Sequence, residues 1–204
     1  MTSDHSPDSP PGPPATGPAG PRGVGHRAPP APPREAGPAG AERPRPTPAQ
    51  LVAHYGMEPI PREGGWFLRT WAGAERADGR PEGSAIVALL TDAPDGFSAL
   101  HRLASDETWH FYLGDPLELL LLAPDGSHRT VVLGPDVLGG QYAQFTVVAG
   151  TWMGGSVAGG GAWALVGCTM APGFTDATYE HGVADDLAAR YPHAADRVRA
   201  LCRP

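Results

Sequence analysis

Between Trp66 and Met170 short apolar runs alternate with Gly, Pro and Asp turns, and no run of helical period interrupts them. Nine stretches read as strands: residues 66–71, 84–91, 97–103, 108–113, 117–123, 128–133, 143–148, 151–157 and 162–170. Turns such as Pro94-Asp95-Gly96 and Pro124-Asp125-Gly126 separate them. Parallel strands need long crossovers, usually helical, and none is present, so the strands must pair antiparallel, as a sandwich or a barrel. The run LELLLLA at 117–123 is apolar on both faces, which predicts a strand covered on both sides.

Helical signals stand only at the flanks. Thr47 is a good N-cap, Pro48 suits the first helical position, Leu51, Val52 and Tyr55 share a face, and Gly56 ends the turn. Residues 185–191 open with Asp185 and Asp186 and are stopped by Pro192, and 194–201 read as a second short helix. Both are expected to pack outside the barrel. Residues 1–46 are of different composition. They hold 14 of the 25 prolines, and apart from alanine only Met1 and Val24 are apolar. Such a stretch cannot bury enough surface to offset its ordering entropy, so a disordered Pro/Gly/Ala-rich tail is expected ahead of a domain at 47–204.

Several function classes drop out. A net charge of -7 offers no basic stripe for nucleic acid. All 15 basic residues are arginine, so no lysine Schiff base is available. No apolar run reaches the length of a membrane span, and no apolar leader segment stands at the N-terminus, so a cytoplasmic protein is expected. Cys168 and Cys202 form neither a disulfide framework nor a CxxC zinc pair. Gly159-Gly160-Gly161 opens no helix and reads as a hairpin turn rather than a phosphate loop. His128, His181 and His193 sit in polar contexts and are expected to be solvated.

Chemistry concentrates in residues 101–114, HRLASDETWHFYLG. Four blocks, Glu63-Gly64-Gly65-Trp66, His101 to Leu119, Gly140 to Trp152 and Leu165 to Phe174, stand in the order found in one branch of the cupin superfamily. The chain resembles that branch, of unknown function and similar in fold to sugar-nucleotide epimerases, over about residues 47–192. The resemblance implies an all-β fold: a cupin double-stranded β-helix, or jelly-roll barrel, with short flanking helices. It also implies a homodimer. Carried over by motif, Ala99 occupies the first histidine position of a cupin metal site, His101 the second, Glu107 the acid and Met153 the last histidine. Pro61-Arg62 stand where the branch usually has His-Pro.

Only His101 and Glu107 remain of that ligand set, and catalytic metals usually take three protein ligands. No cofactor is therefore predicted; a divalent metal, if present, would draw on His101, Glu107 and His110. Strand alternation places Glu107, Trp109 and Phe111 on one face and Thr108, His110 and Tyr112 on the other, so His110 would need a bulge to join. The favoured reading is an epimerase- or isomerase-like proton transfer, with His101 as base and Glu107 fixing its tautomer. Tyr112 or Tyr142 would supply the opposite proton if either faces the pocket. Trp66, Trp109, His110, Gln144 and Trp152 are the expected small-molecule contacts. Two other readings stand beside it: a non-catalytic ligand-binding cupin, and a metal-dependent oxygenase.

Overall fold

The computed structural model describes residues 44–203, so the expected tail lies almost wholly outside the described residues. Its last residues are already fastened: Arg45 pairs with Asp115 at 2.7 Å and lies over the Trp163 ring. The first helix, α1 (Pro48–Tyr55), has the expected capping box, with Thr47 and Gln50 bonding reciprocally, and Gly56 closes it in the left-handed region.

Eleven strands follow: β1 (Glu58–Pro59), β2 (Trp66–Ala72), β3 (Ser84–Thr91), β4 (Ser98–Leu103), β5 (Glu107–Gly114), β6 (Leu117–Leu122), β7 (His128–Leu133), β8 (Gln144–Val147), β9 (Trp152–Val157), β10 (Trp163–Met170) and β11 (Tyr179–His181). The chain ends on α2 (Ala184–Arg190) and α3 (Ala195–Ala200). All nine expected strands are present. The additions are β1 and β11, two and three residues long, too short to leave a periodic signal.

The strands form two sheets, ordered β1-β2-β3-β10-β5-β8 and β11-β4-β9-β6-β7, and every strand pairing is antiparallel. Consecutive strands often lie in opposite sheets, as a jelly roll requires. The Gly159-Gly160-Gly161 turn therefore joins β9 of one sheet to β10 of the other, and is not the expected hairpin. No helix among the described residues is long and apolar enough to cross a membrane.

Period-2 alternation sorts the core into layers. On β6, Leu117, Leu119 and Leu121 face the space between the sheets, whereas Leu120 and Leu122 face α2 and α3. A third cluster seats α1 on the outer face of β2, β3 and β10 through Leu51, Leu68, Leu89 and Leu165. Gly114 ends β5 at φ 107°, a region side chains rarely adopt, and a Cβ there would stand 2.8 Å from the buried Trp163 ring. Gly114→Ala is expected to cost about 1–3 kcal/mol, read as a lower urea midpoint at unchanged m-value.

Candidate functional site

Between the sheets lies one cavity of about 520 Å³. Its walls are the inward residues of β2, β3, β5 and β10, with His101 and Leu103 of β4 and Tyr179 of β11 opposite. The loop from Ile60 to Glu63 and the segment from Phe174 to Asp176 complete the lining.

His101 is 2% exposed. Its Nδ1 lies 2.8 Å from the Ala99 carbonyl oxygen, which can only accept, so the proton sits on Nδ1. That leaves Nε2 with its lone pair, and Nε2 makes no hydrogen bond among the described residues. The expected tautomer lock is therefore present, but the backbone supplies it rather than Glu107. The acid nearest the ring is Glu63, whose Oε1 is 3.9 Å from Nδ1 and accepts from Ser98 Oγ at 2.7 Å.

Glu107 lies in the same cavity, 7% exposed, and its Oε2 has no hydrogen-bond partner. Two residues along β5, on the same face, Trp109 Nε1 is likewise buried and unpartnered. The indole N–H and the Cys168 thiol are near enough to the carboxyl to lower its pKa, although neither reaches Oε2 with hydrogen-bond geometry. Burial dominates and raises it to about 7; a positive charge on His101, when the ring is protonated, opposes this rise and the charge of Glu63 adds to it. Near neutral pH this carboxyl is thus divided between acid and base. Burial likewise pushes the Cys168 thiol well up, so Cys168 is no ready nucleophile.

Tyr179 enters because β11 pairs with β4, setting Tyr179 opposite Leu103 and His181 opposite His101. Its ring stacks on His101 at 5.3 Å between centroids. Its hydroxyl is 2.9 Å from His181 Nδ1. Burial raises the phenol and lowers His181, so both are neutral at pH 7 and the hydroxyl donates to the imidazole. His181 is thus half-buried in a pair and not solvated as expected, whereas His128 and His193 are exposed.

Of the expected contacts, Trp109 lines the cavity with His101 and Glu107. The others are placed elsewhere. Trp66 alternates to the outer face of β2 and packs under α1. His110 points out of the barrel, with Nε2 2.9 Å from Thr169 Oγ1, and Gln144 is exposed and bonds to it across β8. Trp152 lies beneath the C-terminal helices with the Arg102 guanidinium over its ring. Tyr112 and Tyr142 are exposed and do not reach the pocket. Arg62, Glu63, Arg69 and Tyr179 do line it and were missed. The alternation Tyr179-Glu180-His181 on a three-residue strand was the one available sign of the last.

A cupin metal does not fit this donor set. The positions that would hold it do converge: Met153 pairs directly with His101 across β4 and β9, and Ala99 shares its inward face. They carry a methyl group and a thioether in place of two imidazoles. His110 faces outward, which removes the third donor considered for His101 and Glu107. Among the described residues no three His, Cys, Asp or Glu side chains gather closely enough to hold an ion.

Two antiparallel sheets rolled around an internal pocket that holds a buried His and acid define a jelly-roll barrel. Residues 49–182 match the family described as the cupin superfamily (DUF985), and the chain belongs to that superfamily. It is similar to the crystal structure of a protein from Shewanella oneidensis, at 32% identity and TM-score 0.70, over 76% of this chain and 96% of that one. It is also similar to a hypothetical protein from Leishmania major, at 29% identity and TM-score 0.68, over 76% and 97% of the two chains. No curated protein matches the sequence.

Proposed function

We propose that the barrel binds a small carbonyl compound and moves a proton on it, as an epimerase or isomerase does. The observation that carries this reading is the pairing, in one cavity, of a lone-pair nitrogen on His101 with an unpartnered carboxyl on Glu107. A base and an acid held apart in an apolar pocket are the two groups that such a reaction needs. His101 Nε2 takes the proton from the carbon beside the carbonyl, and the electrons of that C–H bond move onto the carbonyl oxygen. Glu107, in its protonated form, donates to that oxygen. Glu107 then recovers its proton from the enol oxygen as His101 returns the other: to a neighbouring carbon, which isomerises the substrate, or to the same carbon once the enol has turned its other face to the imidazole, which epimerises it. The Ala99 carbonyl and the stacked Tyr179 ring hold the imidazole in place.

Exchange of hydrogen with solvent tests this. Small molecules released from the denatured protein, together with a panel of keto acids and keto sugars, are returned to fresh protein in deuterium oxide. One compound should gain deuterium at the carbon beside its carbonyl, at a rate proportional to protein. If the released molecule comes back with every carbon-bound hydrogen intact, the cavity is a binding site only. The same reading takes the protein as a cytoplasmic homodimer, which light scattering during gel filtration checks for assembly.

A further inference from the structure

The cavity has a charged rim and a polar floor, and neither is satisfied from within. At the rim stand Arg62 and Arg69, both exposed and both lining the cavity. Most arginines of the described chain have a carboxylate partner: Arg45 with Asp115, Arg102 with Glu180, Arg197 with Glu118 and Arg203 with Asp95. Arg62 and Arg69 form no ion pair among the described residues, although the whole chain has 22 acidic residues against 15 basic. Of the acids lining the cavity, Glu63 is turned to Ser98 and His101, and Asp176 is exposed and pairs with neither arginine.

Arg62 is moreover held in place at a cost. It has φ 64°, the one described non-glycine residue in the left-handed region, a conformation that costs a bulky side chain on the order of 1 kcal/mol. Backbone bonds on both sides fix that turn: Gly64 N donates to Ile60 O, and Glu63 O accepts from Ala99 N and Arg203 Nε. The guanidinium is thereby laid over the Tyr179 ring at 5.0 Å. Strain of this kind persists where the surroundings over-determine it, and it collects at ligand sites.

At the floor, Trp109 Nε1 is a buried donor without an acceptor, and Glu107 Oε2 is a buried carboxyl oxygen without a partner. Each orphan costs roughly 1–3 kcal/mol while it stays unpaired. One ligand hydroxyl satisfies both, because it accepts from the indole N–H and donates to a lone pair of Glu107 Oε2, which the carboxyl offers whether or not its other oxygen holds a proton. Between rim and floor the walls are apolar and aromatic, with Phe67, Leu90, Phe174 and Met170 among them.

We propose that the ligand is a small hydroxylated organic anion, with its carboxylate or phosphate held at the rim by Arg62 and Arg69 and a hydroxyl held at the floor by Trp109 and Glu107. The proposal rests on reading this cavity as the ligand site, and not on the proton transfer.

A matched series of probes tests it by calorimetry or by ligand-observed NMR. 4-(Hydroxymethyl)benzoate carries both groups on a rigid apolar body. 4-Methylbenzoate lacks the hydroxyl, 4-methylbenzyl alcohol lacks the charge, and 4-methylphenyl phosphate exchanges carboxylate for phosphate. The two-ended probe should bind at least about tenfold tighter than either single-ended one, the span of one good charge-assisted hydrogen bond. The carboxylate–phosphate pair tells which anion the rim prefers. Arg62→Gln with Arg69→Gln should erase the advantage given by the anion, and Trp109→Phe that given by the hydroxyl. Equal affinities across the series, advantages that survive the substitutions, or no binding by any probe at millimolar concentration would each overturn the proposal. The series on the unsubstituted protein decides even if Trp109→Phe fails to fold. No probe carries a hydrogen on a carbon beside a carbonyl, so absence of exchange with other compounds leaves this result untouched.

Discussion

Replacing His101 by Gln is expected to lower solvent hydrogen exchange into the substrate by at least about a hundredfold, with the fold retained. The two halves of that expectation have separate causes. The glutamine amide N–H can take over the bond that His101 Nδ1–H now gives to the Ala99 carbonyl, which is 2.8 Å away. Stability should therefore change by less than about 1 kcal/mol. What glutamine lacks is a basic nitrogen on the cavity side. His101→Ala differs in kind, because it leaves a void in a site that is 2% exposed and frees a buried carbonyl oxygen, a loss of about 2–4 kcal/mol. The pair of variants thus separates chemistry from packing. Binding of 4-(hydroxymethyl)benzoate should survive in the Gln variant while exchange is lost. Exchange at the unsubstituted rate in His101→Gln, with the variant folded, would remove the imidazole from the mechanism. Exchange by the unsubstituted protein should also slow as pH rises through about 7, because Glu107 then loses the proton that the proposed transfer needs.

The strands were legible because their signals are local. Alternation on β5 correctly sent Glu107 and Trp109 inward and His110 outward, and the two-faced leucine run of β6 lies between two cores as expected. The C-terminal helices pack where expected because their apolar residues have Leu100, Leu120 and Leu122 to cover. The site was less legible, since its geometry depends on pairings distant in sequence. Nothing local says that β11 pairs with β4 and stacks Tyr179 on His101, 78 positions apart. Nor does the Glu63-Gly64-Gly65 block say why it is built so. In the structure a Cβ at Gly65 would stand 2.9 Å from the Leu89 carbonyl oxygen and one at Gly64 2.7 Å from that of Phe97. These two glycines let the loop close against the barrel, and that closure is what carries Arg62 and Glu63 to the cavity. Tryptophans misled for a related reason. Trp66 sits on a strand that borders the cavity and Trp152 on the neighbour of β4, but both on the faces that α1 and the C-terminal helices cover.

Glu107→Gln is expected to make the protein more stable above neutral pH, by about 3 kcal/mol, and to leave it nearly unchanged in mild acid. The carboxyl titrates at 4.5 when free of perturbation and at about 7 in the fold. Below 4.5 both folded and unfolded chains hold the proton, and the group contributes nothing. Between 4.5 and 7 the unfolded chain has released it while the folded chain keeps it. The folded state then binds more protons, so stability falls as pH rises. Above 7 both are ionised and the full penalty stands, at about 1.4 kcal/mol per pKa unit. Gln has nearly the same shape and no proton to lose. Urea unfolding of both proteins at pH 4.5 and pH 8.5 reads the effect, because other titrating groups cancel between them. Parallel changes with pH would mean that the carboxyl is not held in its raised state. A domain of this size has only about 5–15 kcal/mol of stability in all, so such a penalty is a large fraction of it. A purely structural position would be better filled by a neutral side chain. The same carboxyl has an orphan indole donor beside it and a basic imidazole in the same cavity. Its retention is accounted for if a ligand hydroxyl, once bound, supplies the hydrogen bond that the empty barrel withholds.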